Sequence, residues 1–129
     1  MNKTELRKEA RTYFIPFLLG NNEASHKLSK KIYKRYKIVS YILDTQGKLS
    51  DIFDTSSKSV KITKTKSGRL FASELIYLAE QAPYTLPLLI PCSSKYEKLI
   101  DEQREILEVS FVLSSAENLL STSPLNIIP

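Results

Sequence analysis

The chain has 129 residues, 42% of them hydrophobic and 26% charged, and its 19 Lys and Arg exceed its 14 Asp and Glu by five. This average globular composition excludes the collagen-like, disordered and disulfide-scaffold classes, and a chain of this length buries a core without a metal or a disulfide. One cysteine allows no intrachain disulfide, so we expect a cytoplasmic protein. No run approaches the roughly 20 apolar residues of a membrane span, and we expect no membrane partner.

The positive charge is concentrated in the first half of the chain. Residues 1–69 contain 16 cations and 6 anions, a balance of +10, whereas residues 70–129 contain 3 cations and 8 anions, a balance of −5. Such an asymmetry indicates either an anionic partner for the first half or docking between complementary surfaces. We favour a simpler interpretation, a solvated lysine-rich face, over nucleic-acid binding because the chain has no recognised nucleic-acid motif.

Apolar runs alternate with helical patterns from end to end, which is typical of a parallel sheet covered by helices on both faces. The sequence therefore predicts an α/β fold, a three-layer Rossmann-like domain with a mostly parallel sheet of about five strands. The predicted strands cover residues 13–19, 38–43, 59–63, 86–90 and 109–113. Lysines at 58, 61, 64 and 66 place the third strand at the sheet edge, since charge discourages pairing between edges.

The chain is expected to form one domain with short flanking segments. Residues 1–12 are a charged N-terminal extension, residues 13–121 form the α/β domain, and residues 122–129 are a tail or a severed linker. A Ser-Thr-Ser-Pro segment at 121–124 breaks the chain where the tail begins, and the tail is apolar from Leu125.

Apolar spacing and capping residues predict the first two helices. Asn21 or Asn22 offers the first N-cap, and apolar side chains at every fourth position predict a helix over 23–37. Its buried stripe consists of Ala24, Leu28, Ile32 and Tyr36, and lysines occupy most of the other faces. Ser67-Gly68 begins the second helix.

Two capping boxes predict two further helices. Ser94–Glu97 and Ser114–Glu117 each place a serine three residues before a glutamate. The first box precedes a helix through Leu107 that has Tyr96 on its apolar face. The second precedes a short helix through Leu120.

Two turns that each join a strand to a helix are the candidate ligand site. The segment Gly20-Asn21-Asn22 lies where a dinucleotide fingerprint has its glycines, although only the first of three glycines is present. The segment Cys92-Ser93-Ser94 opens a capped helix, where backbone N–H groups converge and an anion can dock. Asp44, at the end of the second strand, has the position of an acid that holds a ribose hydroxyl. Ligands of open α/β sheets bind where the strand order reverses, so we predict one shared crevice.

The same residues also have structural roles. The serines of the second turn cap a helix, and Cys92 fills a small apolar gap, an interpretation that we favour over a thiol activated at the helix N-terminus. An acid at the end of a strand, such as Asp44, is common without any ligand. These residues are therefore predicted as ligand-binding candidates rather than as an assigned site.

The residue inventory nearly excludes metal catalysis. His26 and Cys92 are the only imidazole and the only thiol, and sites built from such ligands need more of them. Asp51 and Asp54 leave a carboxylate magnesium site open, although two acids in a serine-rich loop more often form turns. No Gly-x-Ser-x-Gly elbow presents a serine to His26, so we predict no catalytic and no metal residues.

Three segments give the chain a resemblance to a known family. They are Phe17-Leu18-Leu19-Gly20-Asn21-Asn22, Tyr36-Lys37-Ile38-Val39-Ser40 and Leu88-Leu89-Ile90-Pro91-Cys92-Ser93-Ser94-Lys95-Tyr96. In order and spacing they resemble the N-terminal pre-ATP-grasp domain of ATP-grasp carboxylate-amine ligases, over residues 13–120. Asn21 and Asn22 depart from this family, which usually has its second glycine there.

The resemblance implies a non-catalytic role, since in such ligases the ATP, magnesium and catalytic arginine sites lie mainly in the domains that follow. The chain is then either the leading piece of a longer ligase or a stand-alone relative that acts as scaffold and partner in a substrate cleft. ATP and Mg are cofactors only if an ATP-grasp domain follows, and the expected partner is such a domain or a second copy. The alternatives are a small nucleotide- or anion-binding module and nucleic-acid binding through the basic helix 23–37.

Overall fold

The computed structural model describes residues 14–45, 56–81 and 86–121. Its elements are β1 (Phe14–Leu19), α1 (Glu23–Tyr36), β2 (Ser40–Asp44), β3 (Ser57–Lys61), α2 (Gly68–Glu80), β4 (Leu86–Pro91), α3 (Ser94–Glu102), α4 (Arg104–Leu107), β5 (Val112–Leu113) and α5 (Ala116–Ser121). The predicted extension and tail, and the acids Asp51 and Asp54, lie outside the described residues. Within the described part, no helix is both long enough and apolar enough to cross a membrane.

Five parallel strands form one sheet in the order β3-β2-β1-β4-β5. The central strand β1 pairs Phe17 with Tyr41 of β2 on one side and with Leu89 of β4 on the other. The chain moves outward from β1 to β3 and then returns to the other side of β1 at β4, so the strand order reverses between β1 and β4. The predicted α/β fold with a parallel five-stranded sheet is confirmed, and β3 lies at the sheet edge as predicted.

The side chains of β1 alternate between two cores because successive residues of a strand point to opposite faces. Phe14 and Leu18 pack with residues of α1 and α5, whereas Phe17 and Leu19 pack with residues of α2, α3 and α4. All four side chains are buried, so β1 is covered on both faces, as its apolar run predicts. Helices therefore cover both faces of the sheet and form the three predicted layers.

The buried stripe of α1 differs from the predicted one at its first position. The last three residues of that stripe are buried, but Ala24 is exposed, and Ser25 and Ser29 are buried instead. A four-residue step exceeds the 3.6-residue helical turn by about 40°, so after three steps Ala24 has rotated away from the sheet. The small side chain of Ser29 lies beside the start of β3, where its hydroxyl is 3.4 Å from that of Ser56, the residue before the strand.

The predicted capping boxes of α3 and α5 are wrong by one residue. Ser93 rather than Ser94 caps α3, and Ser115 rather than Ser114 caps α5. Ser93 has the extended backbone that a cap requires, with φ of −156° and ψ of 158°. Both serines of each pair have a hydroxyl that can cap the helix. The one that does so is the last residue with an extended backbone before the helix begins.

The bounds of β2 and β3 differ from the predicted ones. β2 begins at Ser40 rather than at residue 38, because α1 ends at Tyr36 and Lys37 follows in a left-handed conformation with φ of 61°. β3 covers Ser57–Lys61 rather than 59–63.

The segment before β5 is a turn where a strand was predicted. The single predicted helix is divided at Gln103 into α3 and α4, and the turn after α4 includes a hydrogen bond from the Ser110 nitrogen to the Leu107 carbonyl at 3.1 Å. Only Val112–Leu113 remains extended, and Val109, predicted to lie in the strand, is 84% exposed.

Candidate functional site

The carboxyl ends of β1, β2 and β4 lie side by side, and the predicted site residues are located there. The backbone nitrogen of Gly20 donates to the carbonyl of Leu43, and that of Cys92 donates to the carbonyl of Leu19, each at 2.8 Å. These bonds continue the pairing of the strands beyond their last residues. The two predicted turns are therefore neighbours at the point where the strand order reverses.

Gly20 permits the sharp turn between β1 and α1. Its φ is +113°, a conformation that side-chain-bearing residues rarely adopt. A Cβ atom there would lie 3.4 Å from Nδ2 of Asn22, 3.6 Å from Cδ2 of Tyr96 and 3.7 Å from Cβ of Cys92. These are ordinary contact distances, so the backbone conformation, and not a lack of space, requires the glycine.

The side chain of Asn22 joins the two turns. Its Oδ1 accepts a hydrogen bond from the backbone nitrogen of Ser25 at 2.9 Å, which caps α1, and the Ser25 hydroxyl accepts one from the Asn22 nitrogen at 3.0 Å. Its Nδ2 donates to the carbonyl of Cys92 at 2.9 Å. One amide thus closes the N-terminus of α1 and holds the turn after β4 against it.

The carboxylate of Asp44 accepts hydrogen bonds from three residues. Oδ2 accepts from the backbone nitrogen of Asn21 at 2.7 Å, and Oδ1 accepts from the backbone nitrogen of Thr45 at 2.6 Å and from the Tyr96 hydroxyl at 3.3 Å. Burial alone would raise the pKa of Asp44, but the hydrogen bonds from Asn21, Thr45 and Tyr96 outweigh it and lower the pKa below the usual 3.8. Asp44 is therefore ionised at neutral pH.

This position of Asp44 bears on the predicted nucleotide interpretation. A phosphate bound at the first turn of such a fold uses backbone N–H groups beside the N-terminus of the following helix. Here the carboxylate of Asp44 already accepts the N–H of Asn21. A phosphate at the same place would lose that donor and would face a negative charge.

Tyr96 belongs to this group of residues, although its spacing in the sequence assigns it to the core. The side chain is 4% exposed, and its ring stacks on Phe71 with centroids 6.0 Å apart. Burial and, in second place, the charge of Asp44 raise the pKa of Tyr96 to about 12, so the phenol keeps its proton and donates a hydrogen bond to the Asp44 carboxylate. A helical pattern cannot show that the polar end of a core residue reaches a carboxylate 52 residues away.

Asn21 is buried and faces α1. Its Oδ1 lies 2.7 Å from Nε2 of His26, and the side chain as a whole is 8% exposed. His26 itself is half-buried on α1. The amide of Asn21 therefore serves contacts within the chain.

The second turn has a structural role at each of its first two positions. Burial raises the pKa of the Cys92 thiol to about 11, which is the opposite of the shift that an activated thiol requires. The Ser93 hydroxyl accepts a hydrogen bond from the backbone nitrogen of Tyr96 at 3.4 Å. Ser94 is exposed in the first turn of α3.

A cleft of about 330 Å³ opens beside these turns, at the carboxyl ends of β4 and β5. Its lining includes Leu89, Pro91, Glu97, Ile100, Asp101, Arg104, Leu113, Ser114, Ser115 and Asn118. No sequence pattern indicates this cleft, because its residues come from two strands and three helices that only the order of the strands in the sheet brings together.

At the carboxyl ends of β1, β2 and β4 the polar groups form a hydrogen-bond network among themselves. Among the described residues, no group of three or more His, Cys, Asp or Glu side chains is arranged to hold a metal ion. The backbone N–H of Asn21, the amide of Asn22 and the carboxylate of Asp44 contact groups of the chain itself. The arrangement fixes the two turns and holds Asp44 ionised.

Comparison with known proteins gives no family. No protein-family model, curated protein or solved structure matches this chain.

Proposed function

We propose that the chain is a non-catalytic domain of the pre-ATP-grasp type, which acts as a scaffold and forms one wall of a substrate cleft that a partner completes. One observation carries this proposal: the polar groups at the carboxyl edge of the sheet bind one another. The bond from Asn22 to the carbonyl of Cys92 and the bonds to Asp44 leave the predicted crevice closed by its own residues.

An enzyme site of this fold needs donors and acceptors that are directed at a substrate. At this edge the phenol of Tyr96 and the backbone nitrogen of Asn21 both donate to Asp44. The thiol of Cys92 is protonated at neutral pH, because burial raises its pKa to about 11. The network is therefore suited to holding a rigid surface and lacks an activated nucleophile.

The resemblance to the pre-ATP-grasp domain suggests what such a rigid surface would pack against. If the chain is the leading piece of an ATP-dependent carboxylate-amine ligase, ATP and Mg bind mainly to a following ATP-grasp domain, and this domain supplies an adjoining wall. If it is a stand-alone relative, the same surface meets a separate partner. In both cases the chain alone performs no chemistry.

The test is an assay of the purified chain with Mg·ATP and a mixture of amino acids, in which released phosphate and new amide bonds are measured. We expect both rates to equal those of a heat-denatured sample of the same preparation. Turnover that follows the protein through two purification steps, and that an Asp44→Asn variant changes, would show that the edge is catalytic and would reject the proposal.

A further inference from the structure

The two ends of the sheet carry opposite charges. At the β3 end, α1 packs over β2 and β3 and exposes Lys27, Lys30, Lys31 and Lys34. Lys61 at the end of β3 is also exposed, on the same face of the sheet as α1, since it pairs with Asp44, two positions after Ile42, and Ile42 packs with residues of α1. We call these five lysines the basic face. The only acid on the exposed surface of α1 is Glu23, which pairs with Lys27 at 2.9 Å.

The cleft at the opposite end of the sheet is acidic. Glu97 and Asp101, one helical turn apart on α3, lie in its lining. The cation in that lining, Arg104, donates to Asp101 at 2.8 Å and to Glu108 at 3.5 Å, so with Glu97 the region holds three carboxylates and one guanidinium, which pairs with two of them. The floor includes the buried side chains of Leu89 and Ile100. We call this the acidic cleft.

We propose that a second copy of the chain docks its basic face on the acidic cleft, with a lysine side chain of α1 entering between Glu97 and Asp101. A lysine fits the chemistry of the cleft because its aliphatic stem packs on apolar surface while its ammonium meets carboxylates. The volume of about 330 Å³ is of the size that accommodates one such side chain. This inference rests on the proposed function in that it names the partner of a docking domain.

The two surfaces cannot meet within one copy. They lie beyond opposite ends of a five-stranded sheet, and neighbouring strands are about 4.8 Å apart, so some 20 Å separate β3 from β5. Two copies joined in this way have a free basic face at one end and a free acidic cleft at the other. The contact is therefore heterologous, and it continues into rings or chains as the protein concentration rises.

A second copy fits better than a nucleic acid because the same chain supplies both halves of the contact. A polyanion would use the lysines but leave the acidic cleft without a role. The two partners also differ in a measurable way, since only the second copy makes Glu97 and Asp101 necessary for association.

The experiment is sedimentation velocity of the full chain at about 20 mM and about 300 mM salt, over a hundredfold range of protein concentration. Exposed charges are largely screened at the higher salt, so we expect association at low salt and an apparent affinity at least about tenfold weaker at high salt. Circular dichroism of each sample controls for folding.

Charge reversal identifies the two surfaces. We expect neither Lys30→Glu/Lys34→Glu nor Glu97→Lys/Asp101→Lys to associate alone, because each has ends of like charge. An equimolar mixture of the two should associate as a pair, since the native acidic cleft of the first meets the native basic face of the second. Lys64→Glu/Lys66→Glu is the matched control, because it makes the same change in net charge outside the basic face and should associate like the unaltered chain.

Three results would overturn the inference: a monomer at low salt, association that the charge reversals do not affect, or no association in the mixture. If the chain stays monomeric and instead binds a fluorescent oligonucleotide with salt-dependent affinity, its partner is a polyanion. Each of these results leaves the assay for ATP hydrolysis and amide formation unaffected, so failure here is distinct from failure of the proposed function.

Discussion

The carboxylate of Asp44 lies 2.7 Å from the backbone nitrogen of Asn21, so the end of β2 is fixed to the turn between β1 and α1. This contact places a negative charge of the chain itself where a phosphate would bind in a nucleotide-binding relative of the fold. It also couples the edge of the sheet to pH through a single carboxyl group.

Replacing Asp44 by Asn should lower stability and flatten its pH dependence. The folded pKa of Asp44 is below its unfolded value of 3.8, so its stabilisation is complete well above pH 3.8 and is lost as the pH falls through the folded pKa. At neutral pH we expect Asp44→Asn to cost about 1 kcal/mol, because the site is partly open to solvent. Urea titrations between about pH 3 and pH 7 measure both effects.

Glu102→Gln is the control for Asp44→Asn, since Glu102 is exposed on α3. Its stability should follow that of the unaltered chain at every pH. If Asp44→Asn behaves like this control, the carboxylate does not stabilise the fold as described.

Substitutions of Asn22 should separate its two roles. Asn22→Ala removes both the cap of α1 and the bond to the Cys92 carbonyl, and we expect a loss of about 2 kcal/mol. Asn22→Ser keeps an oxygen that caps the helix but loses the Nδ2 donor, and we expect about half that loss. Thermal unfolding of the three proteins measures the difference, and equal losses for both variants would mean that the bond to Cys92 contributes nothing.

Gly20→Ala should destabilise the fold by about 1–3 kcal/mol, because φ of +113° is strained for any residue with a Cβ atom. Gly68→Ala is the matched control. Its Cβ would approach only the flexible end of the Gln103 side chain, at 2.7 Å, and alanine suits the first turn of α2 better than glycine. Denaturant unfolding should show a loss for Gly20→Ala and little change for Gly68→Ala, and a reversed order would contradict the assigned backbone conformation.

The Cys92 thiol should react slowly in the folded chain. Its pKa of about 11, against an ordinary 9.0, lowers the thiolate fraction near neutral pH by about a hundredfold, and alkylation should slow in proportion. Mass spectrometry after iodoacetamide treatment measures the rate, and the chain in strong denaturant is the control. A folded rate equal to or above the denatured one would revive the activated-thiol interpretation.

The fold could be predicted because each strand and helix has a recognisable hydrophobic pattern within its own short stretch of sequence. The apolar run of β1 indicates burial on both faces, and the alternation of apolar runs with helical stripes indicates the layers. Element ends were predicted less well. In the serine pairs at 93–94 and 114–115, either serine could cap the helix that follows. Apolar residues spaced four apart rotate gradually around a helix of 3.6 residues per turn, so Ala24 was wrongly assigned to the buried stripe.

The sequence predicted where the candidate site residues lie in the fold, but not the hydrogen bonds that join them. The rule that ligands bind at the carboxyl ends of strands located Gly20, Asp44 and Cys92 at one edge. The bond from Asn22 to Cys92 spans 70 residues and the bond from Tyr96 to Asp44 spans 52. Such contacts depend on side-chain directions in the folded chain, which spacing along the sequence does not determine.

Calorimetric titration of the chain with Mg·ATP, with AMP and with inorganic phosphate tests the central claim most directly, namely that the residues at the carboxyl edge bind one another rather than a ligand. We expect no saturable heat with any of the three at millimolar concentrations. Saturable binding that Asn22→Ala weakens more than Lys64→Glu would contradict the claim, because it would place a nucleotide or phosphate at the turn that Asp44 and Asn22 close.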